Sequence, residues 1–156
     1  MMDDSRFMKK AIALSIKNID KGGGPFGAVI VKDNKIISTG VNKVTLKNDP
    51  TAHAEVNAIR IAARKLGTYD LSGCTIYTSC EPCPMCLGAI YWAHIDKIYF
   101  GNTKKNAADI GFDDSFIYDE IDLRFDKRKI PTKQLLENEA IKAFKMWDSK
   151  EDKVEY

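Results

Sequence analysis

The stretch Pro82-Cys83-Pro84-Met85-Cys86 narrows the choice of fold more than any other part of the chain. Two thiols three positions apart stand one turn from each other, on one side of a helix beginning at Pro82, a residue suited to a first helical position. The apolar run Thr75-Ile76-Tyr77-Thr78 enters this stretch as a buried strand would, and Leu87-Gly88-Ala89-Ile90-Tyr91-Trp92-Ala93 leaves it as a buried helix would. The thiols therefore sit at a strand-to-helix corner, where unpaired backbone N–H groups favour thiolate over thiol. Such a pair is half of a claw for a soft metal, and the other half stands upstream in Asp49-Pro50-Thr51-Ala52-His53-Ala54-Glu55.

The remaining elements follow in order. From about Asp3 to Ile19 the apolar residues recur mostly every three or four positions, the pattern of an amphipathic helix. Lys21-Gly22-Gly23-Gly24-Pro25 ends it; no Gly-Lys-Ser/Thr follows these glycines, so a plain loop that sets Phe26 is preferred to a phosphate loop. Gly27–Val31 and Lys35–Gly40 flank Asp33-Asn34 as a tight hairpin. Asp49-Pro50 reads as the cap and first turn of a helix running to about Leu66, stopped by Gly67. The strand near Thr75–Thr78, the helix from Pro82 and a strand at Lys97–Phe100 make a β-α-β unit, which favours parallel pairing. With the hairpin this predicts a mixed sheet covered by helices. Gly101 to Phe116 reads as loop, Tyr118 to Pro131 carries no clear pattern, and Glu137 to Trp147 has a helical apolar stripe.

At 156 residues, with 44% hydrophobic and 29% charged residues, the chain is expected to form one domain spanning residues 1–156. Twenty-four basic and 22 acidic residues are interspersed and leave a net charge of +2, so nothing here calls for a nucleic-acid partner or an acidic membrane. No apolar run approaches membrane-spanning length, and the polar start lacks the apolar core of a signal peptide. A soluble cytoplasmic protein with reduced cysteines is the expectation.

Catalytic zinc keeps three protein ligands and an open position, whereas structural zinc is closed by four. His53, Cys83 and Cys86 supply three, enough for one zinc per chain, with closure by His94, Cys74 or Cys80 as the alternative. His53 and Glu55 are two apart and serve one site only if it lies off the tip of their helix. Two helix N-termini would then converge on the metal. Glu55, beside the ion but not bound to it, would act as general base and then general acid. The plain readings are an exposed helix carboxylate for Glu55 and a thioredoxin-type redox pair for the cysteines. A redox pair has no need of the upstream His-x-Glu.

At these residues the chain resembles the cytidine deaminase-like superfamily, in which His-x-Glu and a later Pro-Cys-x-x-Cys recur. The likeness runs roughly from Phe7 to Gly101, through Gly24-Pro25-Phe26-Gly27-Ala28, His53-Ala54-Glu55 and Ser79–Cys86. Asn42, Asp49-Pro50-Thr51, Tyr91-Trp92, the run Gly111–Tyr118 and the closing Glu155-Tyr156 resemble, within it, the bacterial type of guanine deaminase. The resemblance implies a three-layer α/β/α domain around a central mixed sheet, one zinc, and hydrolysis of guanine to xanthine and ammonia in purine catabolism or salvage. It implies that Asn42 binds the purine edge, that Phe26 and Trp92 form pocket walls, and that Ala54 makes a backbone contact. Asp114 would be a second proton carrier facing Glu55. It also implies a homodimer that exchanges a C-terminal segment, about 132–156, with Tyr156 closing a neighbour's pocket. A transfer-RNA adenosine deaminase or a cytosine deaminase would share the zinc motifs, and an inactive zinc-stabilised binding module is the alternative outside the enzymes.

Overall fold

The computed structural model describes residues 4–156, so Asp3, the expected start of the first helix, lies outside the described residues. The chain falls into two compact units, the first ending at Ser115 and the second running from Phe116 to Tyr156.

The first unit is built on a four-stranded sheet of order β2-β1-β3-β4, with β1 Gly27–Lys32, β2 Lys35–Val41, β3 Cys74–Cys80 and β4 Lys97–Asn102. β1 pairs antiparallel with β2 and β3, and β3 pairs parallel with β4, so the sheet is mixed as expected. The hairpin turns at Asp33 and Asn34, both at positive φ (48° and 61°), the geometry of a type I′ turn whose twist matches that of the strands.

Side-chain alternation along the strands builds the layers. Ala28, Ile30 and Ile76 point to one face, where they pack with Ala54, Ala58 and Ala62 of α3 (Ala54–Leu66) and with Ile90 of α4 (Pro84–Trp92). Val29, Val31 and Tyr77 point to the other, against Phe7 and Ala11 of α1 (Asp4–Asp20). Helices thus cover both faces, giving the α/β/α arrangement and explaining why the first five residues of β1 are all buried. Asp4 accepts hydrogen bonds from the hydroxyls of Tyr77 (2.5 Å) and Tyr99 (2.9 Å), fixing the start of α1 to the sheet.

Two helix starts differ from the expectations, and two short helices are added to them. α3 begins at Ala54, because Asp49 turns its carboxylate to the amide and hydroxyl of Thr51 (2.9 and 2.7 Å) and closes a local turn instead of capping a helix. A short helix α2, Val44–Lys47, precedes that turn. α4 begins at Pro84 with Cys83 as its N-cap residue, so Pro84, not Pro82, holds the first helical position. The expected loop after Gly101 contains α5, Lys104–Asp109, set by a capping box between Thr103 and Asn106.

Helix α6, Ser115–Asp122, leads into the second unit, which continues with a single 3₁₀ turn at Phe125–Lys127 and α7, Glu137–Asp148. Arg128 donates to the carbonyls of Glu120 and Ile121 and lies over the Phe125 ring. No residue from 116 to 156 is buried within the single chain.

Candidate metal centre and active site

His53 and Cys83 are the N-cap residues of α3 and α4, each with extended backbone angles, and Cys86 lies in the first turn of α4. The two helix tips meet because α3 and α4 pack on the same face of the sheet. Asn57 fixes the approach by donating to the carbonyls of Val41 (2.8 Å) and Ala52 (3.2 Å).

His53 Nδ1 lies 3.5 Å from Cys83 Sγ and 3.4 Å from Cys86 Sγ, and the three ligand atoms lie within 4.8 Å of one another. Zinc bonds of about 2.3 Å to sulfur and about 2.0–2.1 Å to nitrogen, arranged tetrahedrally, would separate sulfur from nitrogen by about 3.6 Å. The donor set and its spacing fit that ion. Among the described residues this group contains no fourth ligand. Cys80 turns its thiol toward the Thr103 carbonyl, 3.8 Å away, and His94 faces Asp70 at 3.6 Å.

The thiols are unequal. Cys83 is drawn down to about 4, first by the Cys86 thiol donating to it and then, against the cost of burial, by His53. Cys86 is pushed up by sharing its hydrogen with Cys83, by burial and by the nearby Glu55. His53 is raised, chiefly by its hydrogen bond to Cys83.

Glu55, at the second position of α3, is only 5% exposed. Its Oε1 accepts from the hydroxyl of the fully buried Thr78 at 2.7 Å, and the Cys80 carbonyl lies 2.9 Å from that same hydroxyl. Thr78 on β3 is a partner the sequence reading missed. Alternation along the strand placed it on a buried face, but nothing in sequence distance links it to Glu55.

The adjacent carboxylates Asp113 and Asp114 behave differently. Asp113 is lowered by hydrogen bonds from Ser115, first from its side chain and then from its amide at 2.9 Å, so it is occupied in shaping the turn before α6. Asp114 is raised, first by burial and then by the negative charge at Cys83, and its charge is also felt at Cys80. It is the carboxylate of the pair whose charge is coupled to the cysteines.

Asn42 is buried, and its Oδ1 accepts from the Val44 amide at 3.2 Å. Phe26 meets the edge of Phe112, with ring centroids 5.0 Å apart and planes at 86°. Phe112 thus joins the residues that sequence reasoning did not assign. Ala54 is fully buried, with its amide in the unpaired first turn of α3. Trp92 ends α4 at 67% exposure, and Tyr156 ends the second unit at 71%.

Together the fold and this centre define a zinc-dependent deaminase domain. Residues 1–102 match the cytidine and deoxycytidylate deaminase zinc-binding region, and the chain belongs to that family, with one zinc per chain. Over 156 residues, 99% of this chain and all of the relative, it is 52% identical to guanine deaminase of Bacillus subtilis. The crystal structure of guanine deaminase from Bacillus subtilis superposes with a TM-score of 0.96 at 52% identity, covering 99% of each chain. The tRNA-specific adenosine deaminase of Buchnera aphidicola subsp. Baizongia pistaciae is 46% identical over 103 residues, 66% of this chain and 64% of that one.

Proposed function

We propose that the chain is a guanine deaminase, hydrolysing guanine with water to xanthine and ammonia in purine catabolism or salvage. The observation that carries this reading is the extent of the likeness. It holds at 52% identity over 156 residues to guanine deaminase, against 46% over 103 residues and 36% over 140 residues to tRNA-specific adenosine deaminases.

His53, Cys83 and Cys86 would hold the ion. Bound zinc supplies a Lewis acid that makes water a nucleophile near neutral pH. Glu55 would take a proton from the attacking water at one carboxylate oxygen and deliver it to the departing amine. Thr78 suits both states of Glu55: its single hydrogen points to Oε1 when Glu55 is ionised. When Glu55 carries the proton, the hydroxyl can accept from it and turn its own hydrogen to the Cys80 carbonyl.

Attack at the amino-bearing carbon of guanine also places charge on a ring nitrogen. Asp114, raised first by burial, is the proton source for that nitrogen, and the proton released from the new hydroxyl as the carbonyl of xanthine forms restores it. Asn42 offers its Nδ2 hydrogens to acceptors on the purine edge, since its Oδ1 already serves Val44. Phe26 and Trp92 bound the ring, and the Ala54 amide contacts the base.

The working unit is read as a homodimer whose chains exchange their C-terminal segments, about 132–156, with Tyr156 over a neighbour's site. A unit of residues with none buried needs a surface to cover its apolar side chains, and a second copy supplies one. The four cysteines are all free thiols, which suits the cytoplasm. Among the described residues no helix is long and apolar enough to cross a membrane.

Ammonia release from a panel of guanine, adenine, cytosine, their nucleosides and transfer RNA tests the assignment. Guanine should be the preferred substrate, with xanthine formed in equal amount. Ammonia from transfer RNA or cytosine, and none from guanine, would overturn it.

A further inference from the structure

We infer that Asn18, on the last turns of α1 and outside the groups assigned above, is a positioning residue that sets Asn42 and Phe26 for the purine. The inference rests on reading those two residues as substrate contacts.

The glycine run Gly22-Gly23-Gly24 has no place in the zinc chemistry, yet its surroundings are closely built. Asn18 is 2% exposed. Its Nδ2 donates one hydrogen to the Gly24 carbonyl and the other to the Asn42 carbonyl, both at 2.8 Å. The Phe26 amide donates to the same Gly24 carbonyl at 2.8 Å, and the Asn42 amide donates to the Phe26 carbonyl at 3.2 Å. Asn18, Gly24, Phe26 and Asn42 thus form a closed circuit of hydrogen bonds in which Asn18 is the one side chain. Its backbone carbonyl also receives the Gly23 amide at 3.0 Å.

The glycines are what let the circuit close. A Cβ on Gly23 would lie 2.3 Å from Asn18 Nδ2 and 2.6 Å from the Asn42 carbonyl oxygen. One on Gly24 would lie 3.0 Å from Asn42 Cγ, so the bare backbone of Gly24 serves as a flat wall beside the Asn42 carboxamide. The residue that orders the purine-binding amide is thus 24 positions upstream of it, and it works through main-chain atoms.

On its other side Asn18 lines a cavity of about 260 Å³ between α1, β2 and α3, together with Lys17, Thr39 and Asn57. Truncation takes the donors from both carbonyls beside a space that already exists, so it should loosen the two substrate contacts while leaving the fold standing.

The test uses the zinc-loaded full-length chain. In Asn18→Ala the KM for guanine should rise by about tenfold, the size of a lost buried hydrogen bond, with kcat changed by less than about threefold. Asn18→Asp, which keeps the shape but removes both donors, should lose at least as much. Asn18→Ser, with one donor retained, should fall between wild type and Asn18→Ala, and it replaces Asn18→Ala if that variant does not fold. In a double-mutant cycle with Asn42→Ala the Asn18 effect should shrink, because its main route has been removed. The side-chain amide signals of Asn42 in a ¹⁵N spectrum should shift in Asn18→Ala without any substrate present. A lower Tm with unchanged KM and unchanged Asn42 signals would overturn the inference, as would strict additivity in the cycle. If Asn42→Ala alone leaves KM unchanged, or guanine is not a substrate, the functional reading fails instead. The amide signals then decide the placement by Asn18 on their own.

Discussion

Glu55 and Cys83 stand in one crowded corner but are expected to fail in different ways. Glu55 lies within two residues of a zinc ligand, yet its carboxylate is held by Thr78, so its removal should spare the metal. Glu55→Gln keeps the shape and removes the proposed proton carrier: zinc content should stay near one per chain while turnover falls by at least about 10²-fold. Cys83→Ala removes one of the three ligands, and the chain should lose most of its zinc. Metal analysis beside ammonia release separates the two, and a Glu55→Gln chain near wild-type turnover would remove the mechanism. This much of the site was legible in the sequence, because a metal fixes ligand types and short spacings together. Thr78, Phe112 and Asn18 were not, since each acts across folded distance on a residue far from it in the chain.

At the scale of elements, what was readable depended on whether the cause was local. The hairpin turn and the stop at Gly67 are encoded in the residues that adopt them, with Asn34 and Gly67 at positive φ, and both were placed correctly. The start of α3 was misplaced because Asp49-Pro50 carries the marks of a helix cap, while Thr51 captures the carboxylate before a helix can form. A close approach of two elements was also hidden. A Cβ on Gly40 of β2 would lie 2.1 Å from the Ala54 carbonyl oxygen and 2.6 Å from the Ala58 amide, so α3 rests directly on the strand backbone there. Gly40→Ala must push away the very turn that presents His53 and Glu55. We expect it to cost about 1–3 kcal/mol, seen as a Tm lower by about 2–12 °C. Zinc should bind more weakly as well. A Gly40→Ala chain with unchanged Tm and zinc affinity would show that this contact does not govern the site.

For the whole molecule, the second unit is where local reasoning gave least, and its composition says why. Ile130, Leu135, Leu136 and Phe144 are each at least 66% exposed in the single chain, so no internal burial disciplines their pattern. Their spacing would answer to a surface outside the chain, which a single sequence does not display. If that surface belongs to a second copy, and Tyr156 closes the neighbour's pocket, deleting Val154-Glu155-Tyr156 should strongly impair guanine turnover. Zinc content and thermal stability should barely change, because the tail would act by excluding water from a site already built. The deletion alone does not say whose site the tail covers; mixing does. Chains carrying Glu55→Gln keep the tail but lack the proton carrier, and tail-deleted chains have the reverse defect. When equal amounts unfold and reassemble at random, half the dimers are mixed, and each mixed dimer joins one intact site to one intact tail. Exchange between chains therefore predicts recovery of about a quarter of wild-type activity per site. Mixed dimers without recovery would place the tail over its own chain's site, and full activity in the deletion would end its role as a lid.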